Sequence, residues 1–220
     1  MTVSILVRDP ATGLLGGAAM TGNLCVGGWV LRGDSRTGIA ATQGEQPSSL
    51  WADAAFDALR ADQDAQHVVD TVVARDGGRE CRQMALVCRS GTTGAFTGRD
   101  NRDWKGALVA PDMVVSGNIL RGPEVLEAAH AAVLDTPGLM VDRLLAGLRA
   151  AQAAGGDARG QMSAALLVIC DTDPPLDLRI DWATDPLADL AALLDRARAP
   201  DYARWVACLP VRTDPERHED

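Results

Sequence analysis

A threonine stands second in the chain, directly after Met1, at the head of the stretch Thr2-Val3-Ser4-Ile5-Leu6-Val7-Arg8. A threonine hydroxyl is a weak nucleophile until a base takes its proton. An α-amine titrates at about pH 8, far below a lysine, and can be that base when it belongs to the threonine itself. Loss of Met1, which small second residues permit, is all that frees it. Position alone does not separate this chemistry from an inert second residue.

Other catalytic chemistries find little support in the residue pattern. His67 and His130 fall inside predicted helices and His218 lies near the end, so no histidine pair has metal-ligand spacing. No metal and no organic cofactor is expected. The phosphate-binding and dinucleotide-binding glycine patterns, the nucleophile elbow and the paired-histidine zinc motif are all missing. Five cysteines (Cys25, Cys81, Cys88, Cys170 and Cys208) are an odd, scattered set without a C-x-x-C pair, and read as reduced, inert thiols. The run Arg32-Gly33-Asp34-Ser35 reads as a hairpin turn, and Asp171 to Asp177 as a turn at a strand end, because it lacks the glycine and closing glutamate of a calcium loop.

Bulk composition narrows the partners. The 220 residues are 47% hydrophobic and 23% charged, ordinary values for a globular chain with a sizeable core. With 21 basic against 30 acidic residues, the net charge of -9 argues against nucleic acid or an anionic membrane as partner. No segment reaches the roughly 18 apolar residues of a membrane span. The start lacks the basic and long apolar regions of a signal peptide, so a cytoplasmic protein is expected.

The elements that would position Thr2 follow from periodicity. "VSILVRD", "LLGGAAMT", the glycine-rich "GNLCVGGWVLR" and "GIAATQ" read as strands joined by tight turns at "DPATG" and "GDSRTG". From Pro47 to Arg75 the period becomes helical, with Trp51, Ala55, Phe56 and Leu59 on one face and Val68, Val69, Val72 and Val73 on another. Strands return at "QMALVCR", "TGAFTG" and "MVVSGN". Two helices follow, one opened by Pro123 and one stopped by Gly155-Gly156. "SAALLVIC" and "LDLRIDW" read as strands and "PLADLAALLDRAR" as a last helix, with a charged, frayed tail over residues 213–220. Strands and helix pairs in this order do not make a doubly wound sheet. They predict an α+β, four-layer αββα sandwich of two antiparallel sheets flanked by helices, one domain over residues 1–212.

The blocks "MTVSILVRDPATGLLGGAAMTGNLCVGGWV", "GIAATQG", "CRQMALV", "AFTG", "SGNIL", "GGDARGQMSAALLV" and "LRIDWATDPLADLAALL" resemble, in order, domain-of-unknown-function family 1028. That family of bacterial and archaeal proteins is assigned to the Ntn-hydrolase (N-terminal nucleophile) fold, and the similarity runs from Thr2 to about Leu194. It implies the same αββα sandwich and an amide-cleaving chemistry in which the N-terminal residue attacks and its own amine is the base. Thr2 stands where that nucleophile would be, with Ser4 on the same strand face. Thr42, Gln43, Arg82, Gln83 and Ser163 are further candidates for a substrate pocket, and Asn118, after Gly117, for an oxyanion donor. The chain departs from the family where Ser116 replaces a glutamine and where Gln161-Met162, not Arg-Gln, precede Ser163. Either its substrate differs or those positions are structural.

Two readings follow. One is an Ntn-type amidohydrolase acting on a small amide or cyclic amide. The other is a non-catalytic ligand-binding or assembly module on the same fold. Only the first needs Thr2 unblocked and facing a cavity. The partner expected is a small-molecule substrate, and the apolar helices leave room for a homo-oligomer interface.

Overall fold

Alternation along the first seven strand residues decides what each face of the central strand meets. Val3, Ile5 and Val7 enter an apolar core on one side, while Leu6 enters another core on the opposite side, the side that Thr2 and Ser4 share. The computed structural model describes residues 2–60, 63–156 and 160–218. Met1, the Asp157-Ala158-Arg159 part of one family block and the last two residues of the tail lie outside them.

Strands β1 (Thr2–Arg8) and β2 (Leu15–Thr21) form a hairpin, followed by the one-turn helix α1 (Val26–Trp29) and by β3 (Leu31–Asp34) and β4 (Gly38–Gly44). Helices α2 (Leu50–Leu59) and α3 (Ala65–Ala74) lead to β5 (Arg82–Cys88), β6 (Thr93–Thr97), β7 (Trp104–Ala110) and β8 (Met113–Leu120). Helices α4 (Glu124–Asp135) and α5 (Met140–Ala153), strands β9 (Ser163–Ile169) and β10 (Leu176–Ile180), and helices α6 (Pro186–Ala197) and α7 (Pro200–Ala207) complete the order.

The strands make two antiparallel sheets, one of six in the order β10-β9-β2-β1-β8-β7 and one of four in the order β3-β4-β5-β6. Three cores lie between four layers. The first joins the six-stranded sheet to α4, α5 and α6 through Ile5, Met20, Leu126, Leu144, Leu148 and Leu190. The second lies between the sheets and holds Leu6, Leu15, Ile39, Val87, Val114 and Leu167. The third packs α2 and α3 on the four-stranded sheet through Trp51, Phe56, Val69, Met84 and Leu86. The chain is therefore an αββα sandwich with β1 at the middle of the larger sheet.

Close approach of the layers explains the small residues of β2. A Cβ on Gly17 would sit 2.9 Å from Ile39 Cδ1, and one on Gly16 2.7 Å from Met140 Cγ, so each glycine lets a neighbouring layer touch the strand backbone. The hairpin turn before them is closed by Asp9, whose carboxylate accepts the backbone N–H of Ala11 at 2.8 Å, and by Gly13 at φ +73°.

Three elements differ from the sequence expectation. The glycine-rich passage holds α1 instead of strand, because Cys25 takes a left-handed turn and Gly27 packs its bare Cα against Ala165 and Arg179, where a Cβ would lie 2.8 Å from each. Strand β7 was expected as loop. It is a half-buried edge strand, broken by a register shift between Trp104 and Gly106, so it lacks clean alternation. Helix α7 buries none of its residues, and its Tyr202 and Trp205 rings lie against each other, 5.5 Å apart. Beyond it, Thr213 Oγ1 donates to the Asp171 carbonyl at 3.3 Å and Arg212 pairs with the Asp171 carboxylate at 3.1 Å, so the described part of the tail lies along the β9–β10 loop.

The Arg32–Ser35 stretch ends β3 and turns into β4. Asp34 accepts from Arg36 Nε at 3.0 Å and Nη2 at 2.7 Å, and from Arg60 Nη2 at 3.0 Å. The Arg36 guanidinium holds the Asp34 carboxyl well below the usual carboxylate range, against the smaller opposing pull of partial burial. A carboxylate with a depressed folded pKa stabilises above its unfolded value of about 3.9, and that contribution fades as the pH falls below it. Thermal unfolding followed from pH 6 to pH 2 should therefore show a shallower acid loss for Asp34→Asn than for the wild type. Parallel profiles would remove Asp34 from the acid response.

Candidate functional site

Thr2 is held from both sides by the ladder of β1. Thr21 of β2 stands opposite it on one flank and Asn118 of β8 on the other. The Thr2 and Thr21 hydroxyl oxygens are 3.1 Å apart. Thr2 is only 8% exposed, yet it opens on a cavity of about 450 Å³. One wall is the segment from Asn23 through α1 to Val30, carrying Leu24, Val26 and Trp29. The other is the end of β4 with Gln43, Gly44, Glu45 and Pro47.

Both walls are tied down. Ser163 Oγ donates to the Asn23 carbonyl at 2.8 Å and accepts the Val26 N–H at 3.1 Å, pinning the first wall to β9. Asn101 Oδ1 accepts the Glu45 N–H at 3.1 Å, while its Nδ2 donates to the Arg82 and Gly98 carbonyls. The Glu45 carboxylate takes a bidentate pair from Arg102 at 2.6 and 2.8 Å, which neutralises the acid at the cavity edge.

Beneath Thr2 the two sheets are stitched by polar side chains in an otherwise apolar interior. Ser4 and Ser116 share a hydroxyl bond of 2.8 Å across β1 and β8. From the smaller sheet, Gln83 Nε2 donates to the carbonyls of Gly106 at 2.9 Å and Gly117 at 3.0 Å, and to Thr97 Oγ1 at 2.8 Å. Carbonyls only accept, so the Gln83 amide is oriented with Oε1 toward its other neighbours. That oxygen accepts from Gln43 Nε2 at 2.7 Å and from Asn118 Nδ2 at 3.2 Å. Gln43 Nε2 also reaches Ser116 Oγ at 3.4 Å.

The Gly106–Gly117 pair borders a bulge. Trp104 faces Leu120 and Gly106 faces Gly117, so Asn118 and Ile119 together oppose Lys105 alone. Ile119 adopts φ +58°, a left-handed conformation that costs a β-branched residue on the order of 1–3 kcal/mol. The extra residue resets the alternation. Ser116 and Asn118 keep their side chains between the sheets, and Leu120 turns to the helix side beside Leu126. Strain thus sits directly after Asn118, where it ends the strand face that carries the polar cluster.

Among the residues singled out from sequence, Thr2 and Gln43 line the cavity. Ser4, Gln83 and Asn118 form the layer beneath it, and Ser163 braces its wall. Asn118 is buried, and its second amide hydrogen is left for another acceptor after the bond to Gln83. Thr42 and Arg82 do not join them, because each stands one residue out of phase with the inter-sheet face. Thr42 lies on the side of Ala40, under α2, and Arg82 lies over the Trp51 ring, paired with Asp76. Of the departures, Ser116 belongs to the polar cluster, Gln161 has a buried amide without partners, and Met162 is surface-exposed.

Thr21, Trp29, Glu45 and Asn101 were missed. Thr21 was within reach of sequence reasoning, since a hairpin closed at Asp9–Gly13 places it opposite Thr2. The other three come from separate segments, Trp29 from the end of α1, and carried no local signal. Among the described residues no cluster of three metal-ligating side chains occurs, and all five cysteines are free, with burial pushing the Cys88 thiol up.

Gln83 receives two buried donors and shares its two N–H hydrogens among three acceptors. Replacing it by methionine, similar in size but without the amide, leaves the Gln43 and Asn118 N–H groups unpaired. Each orphaned buried group costs about 1–3 kcal/mol, so Gln83→Met should lose roughly 3 kcal/mol or more in urea unfolding. A loss under about 1 kcal/mol would show the cluster to be dispensable.

No curated protein matches the chain. Among solved structures, protein SPO2555 from Silicibacter pomeroyi is 43% identical, superposes with a TM-score of 0.96, and aligns over 100% of this chain and 96% of its own. HslV from Trypanosoma brucei (14% identity, TM-score 0.45, 76% of this chain and 98% of that one) is more distant. So is Anbu from Yersinia bercovieri (8% identity, TM-score 0.37, 92% and 97%). At those scores neither carries weight here. The model of the family of unknown function DUF1028 matches residues 2–190, and the chain belongs to that family.

Proposed function

We propose that the chain is an amidohydrolase of the N-terminal nucleophile type, with Thr2 as nucleophile, acting on a small amide or cyclic amide. The observation that carries this reading is the position of Thr2: first in the central strand, fixed from both flanks, and opening on a cavity that suits a small molecule. A residue kept only for packing gains nothing from a cavity beside its hydroxyl.

On this reading Met1 is first removed. The freed α-amine takes the Thr2 hydroxyl proton as the oxygen attacks the amide carbon, giving a tetrahedral oxyanion. Asn118, held opposite Thr2 and anchored through Gln83, offers its remaining amide hydrogen to that oxyanion together with backbone N–H groups. The intermediate collapses, the C–N bond breaks, and the α-ammonium returns the proton to the leaving nitrogen. Water then cleaves the threonyl ester, with the same amine as base. Thr21, 3.1 Å from the nucleophile oxygen, orients its lone pair for attack. The second reading, a ligand-binding or assembly module, is favoured by no particular feature of the cavity and would be indifferent to Thr2.

A panel of fluorogenic amides and lactams tests this with three proteins. Wild type should turn over at least one substrate, Thr2→Ser should retain activity, and Thr2→Ala should lose it by about 10³-fold or more while unfolding within about 1 kcal/mol of wild type. Full activity in Thr2→Ala on any substrate found removes Thr2 from the mechanism.

A further inference from the structure

Gln43 is the side chain of the Thr2 cavity whose hydrogen bonding is incomplete. It is 1% exposed and lines the cavity, and its Oε1 is a buried acceptor without a partner. Its orientation is not free. The carbonyls of Gly106 and Gly117 fix Gln83, Gln83 Oε1 then requires the Gln43 N–H group, and Gln43 Oε1 is left pointing away from that network. A buried acceptor left unsatisfied calls for an explanation. A ligand N–H reaching it from the cavity would supply the missing hydrogen bond.

The remaining lining narrows what that donor belongs to. Among the described residues, Glu45 is the one charged side chain lining the cavity, and Arg102 already pairs with it. With Glu45 already paired, the side chains lining the cavity offer a carboxylate ligand no unpaired cation. Leu24 and Trp29 stand 50% and 57% exposed at the wall beside Val26, Val30 and Pro47, an apolar platform for a flat group.

We propose that Gln43 is the specificity-determining residue of this cavity: its Oε1 accepts the N–H of a small, uncharged carboxamide whose aromatic or apolar part lies on Trp29. This rests on the reading of the cavity as an amide site, and it selects among amides, favouring primary and secondary ones over tertiary amides and esters of the same shape. A site built to bond an N–H rejects the analogue lacking it, because its own buried acceptor is then left unpaired.

The test separates binding from catalysis. ¹⁵N-labelled Thr2→Ala protein, which cannot consume a ligand through Thr2, is titrated with benzamide, methyl benzoate and N,N-dimethylbenzamide while the Trp29 indole resonance is followed. Benzamide should bind about tenfold or more tighter than either analogue. In Thr2→Ala/Gln43→Met the three should fall within about twofold of one another. Equal affinities in Thr2→Ala, no benzamide binding, or a preference that survives Gln43→Met would overturn the proposal. Should Gln43→Met fail to fold, the three-ligand comparison still decides. Selective benzamide binding beside a wild type that hydrolyses nothing would refute the catalytic reading and leave the role of Gln43 standing.

Discussion

The hydrogen bonds of Gln83 join the two sheets where the core is polar, and the candidate site sits on top of them. One amide group, carried by β5 of the smaller sheet, satisfies the carbonyl pair bordering the β8 bulge and receives the amides of Gln43 and Asn118. The core between the sheets is otherwise built from Leu, Ile, Val and Ala side chains, whose packing is not directional. Directional bonds fix register as well. They set the height of Asn118 against Thr2, and they set how the Gln43 amide is turned.

Placing Thr2 at the start of a central strand has a structural consequence. A chain end is ordinarily loose, but Thr2 is paired on both flanks from its first described residue, and Val3 and Ile5 anchor the following turns of the pleat in the helix-side core. Thr2 is thereby held in the middle of the larger sheet, and the Asn23–Val30 wall beside it is pinned by Ser163. Small residues make this compatible with a tight sandwich, since Gly16 and Gly17 let α5 and the second sheet close on the neighbouring strand. The strained Ile119 stands at the one point where the strand pattern must stop so that Asn118 ends the polar face.

Much of the architecture was legible in the residue pattern because the pattern is physical. Period-two alternation in Val3–Val7, a helical stripe at Trp51–Leu59 and the turn chemistry at Asp9–Gly13 each name one local solution. The doubled helix pairs between strands point to stacked sheets. What escaped has common causes. Strand β7 is an edge broken by a bulge, α7 is an eight-residue helix that buries none of its residues, and α1 depends on a left-handed Cys25 that no propensity announces. The site was half legible. Thr2, Gln43, Gln83 and Asn118 lie on strand faces whose phase decides everything, and one residue of phase separates them from Thr42 and Arg82. Trp29, Glu45 and Asn101 come from separate segments of the chain, a proximity that only the folded chain creates.

The central claim is that Thr2 carries a free amine and an activated hydroxyl. Peptide-mapped mass spectrometry of untagged protein, before and after exposure to a β-lactone, measures both at once. The account requires an N-terminal peptide lacking Met1 and a stoichiometric acyl adduct on Thr2 that is absent from Thr2→Ala. A retained Met1, or a processed Thr2 that stays unmodified, would contradict it.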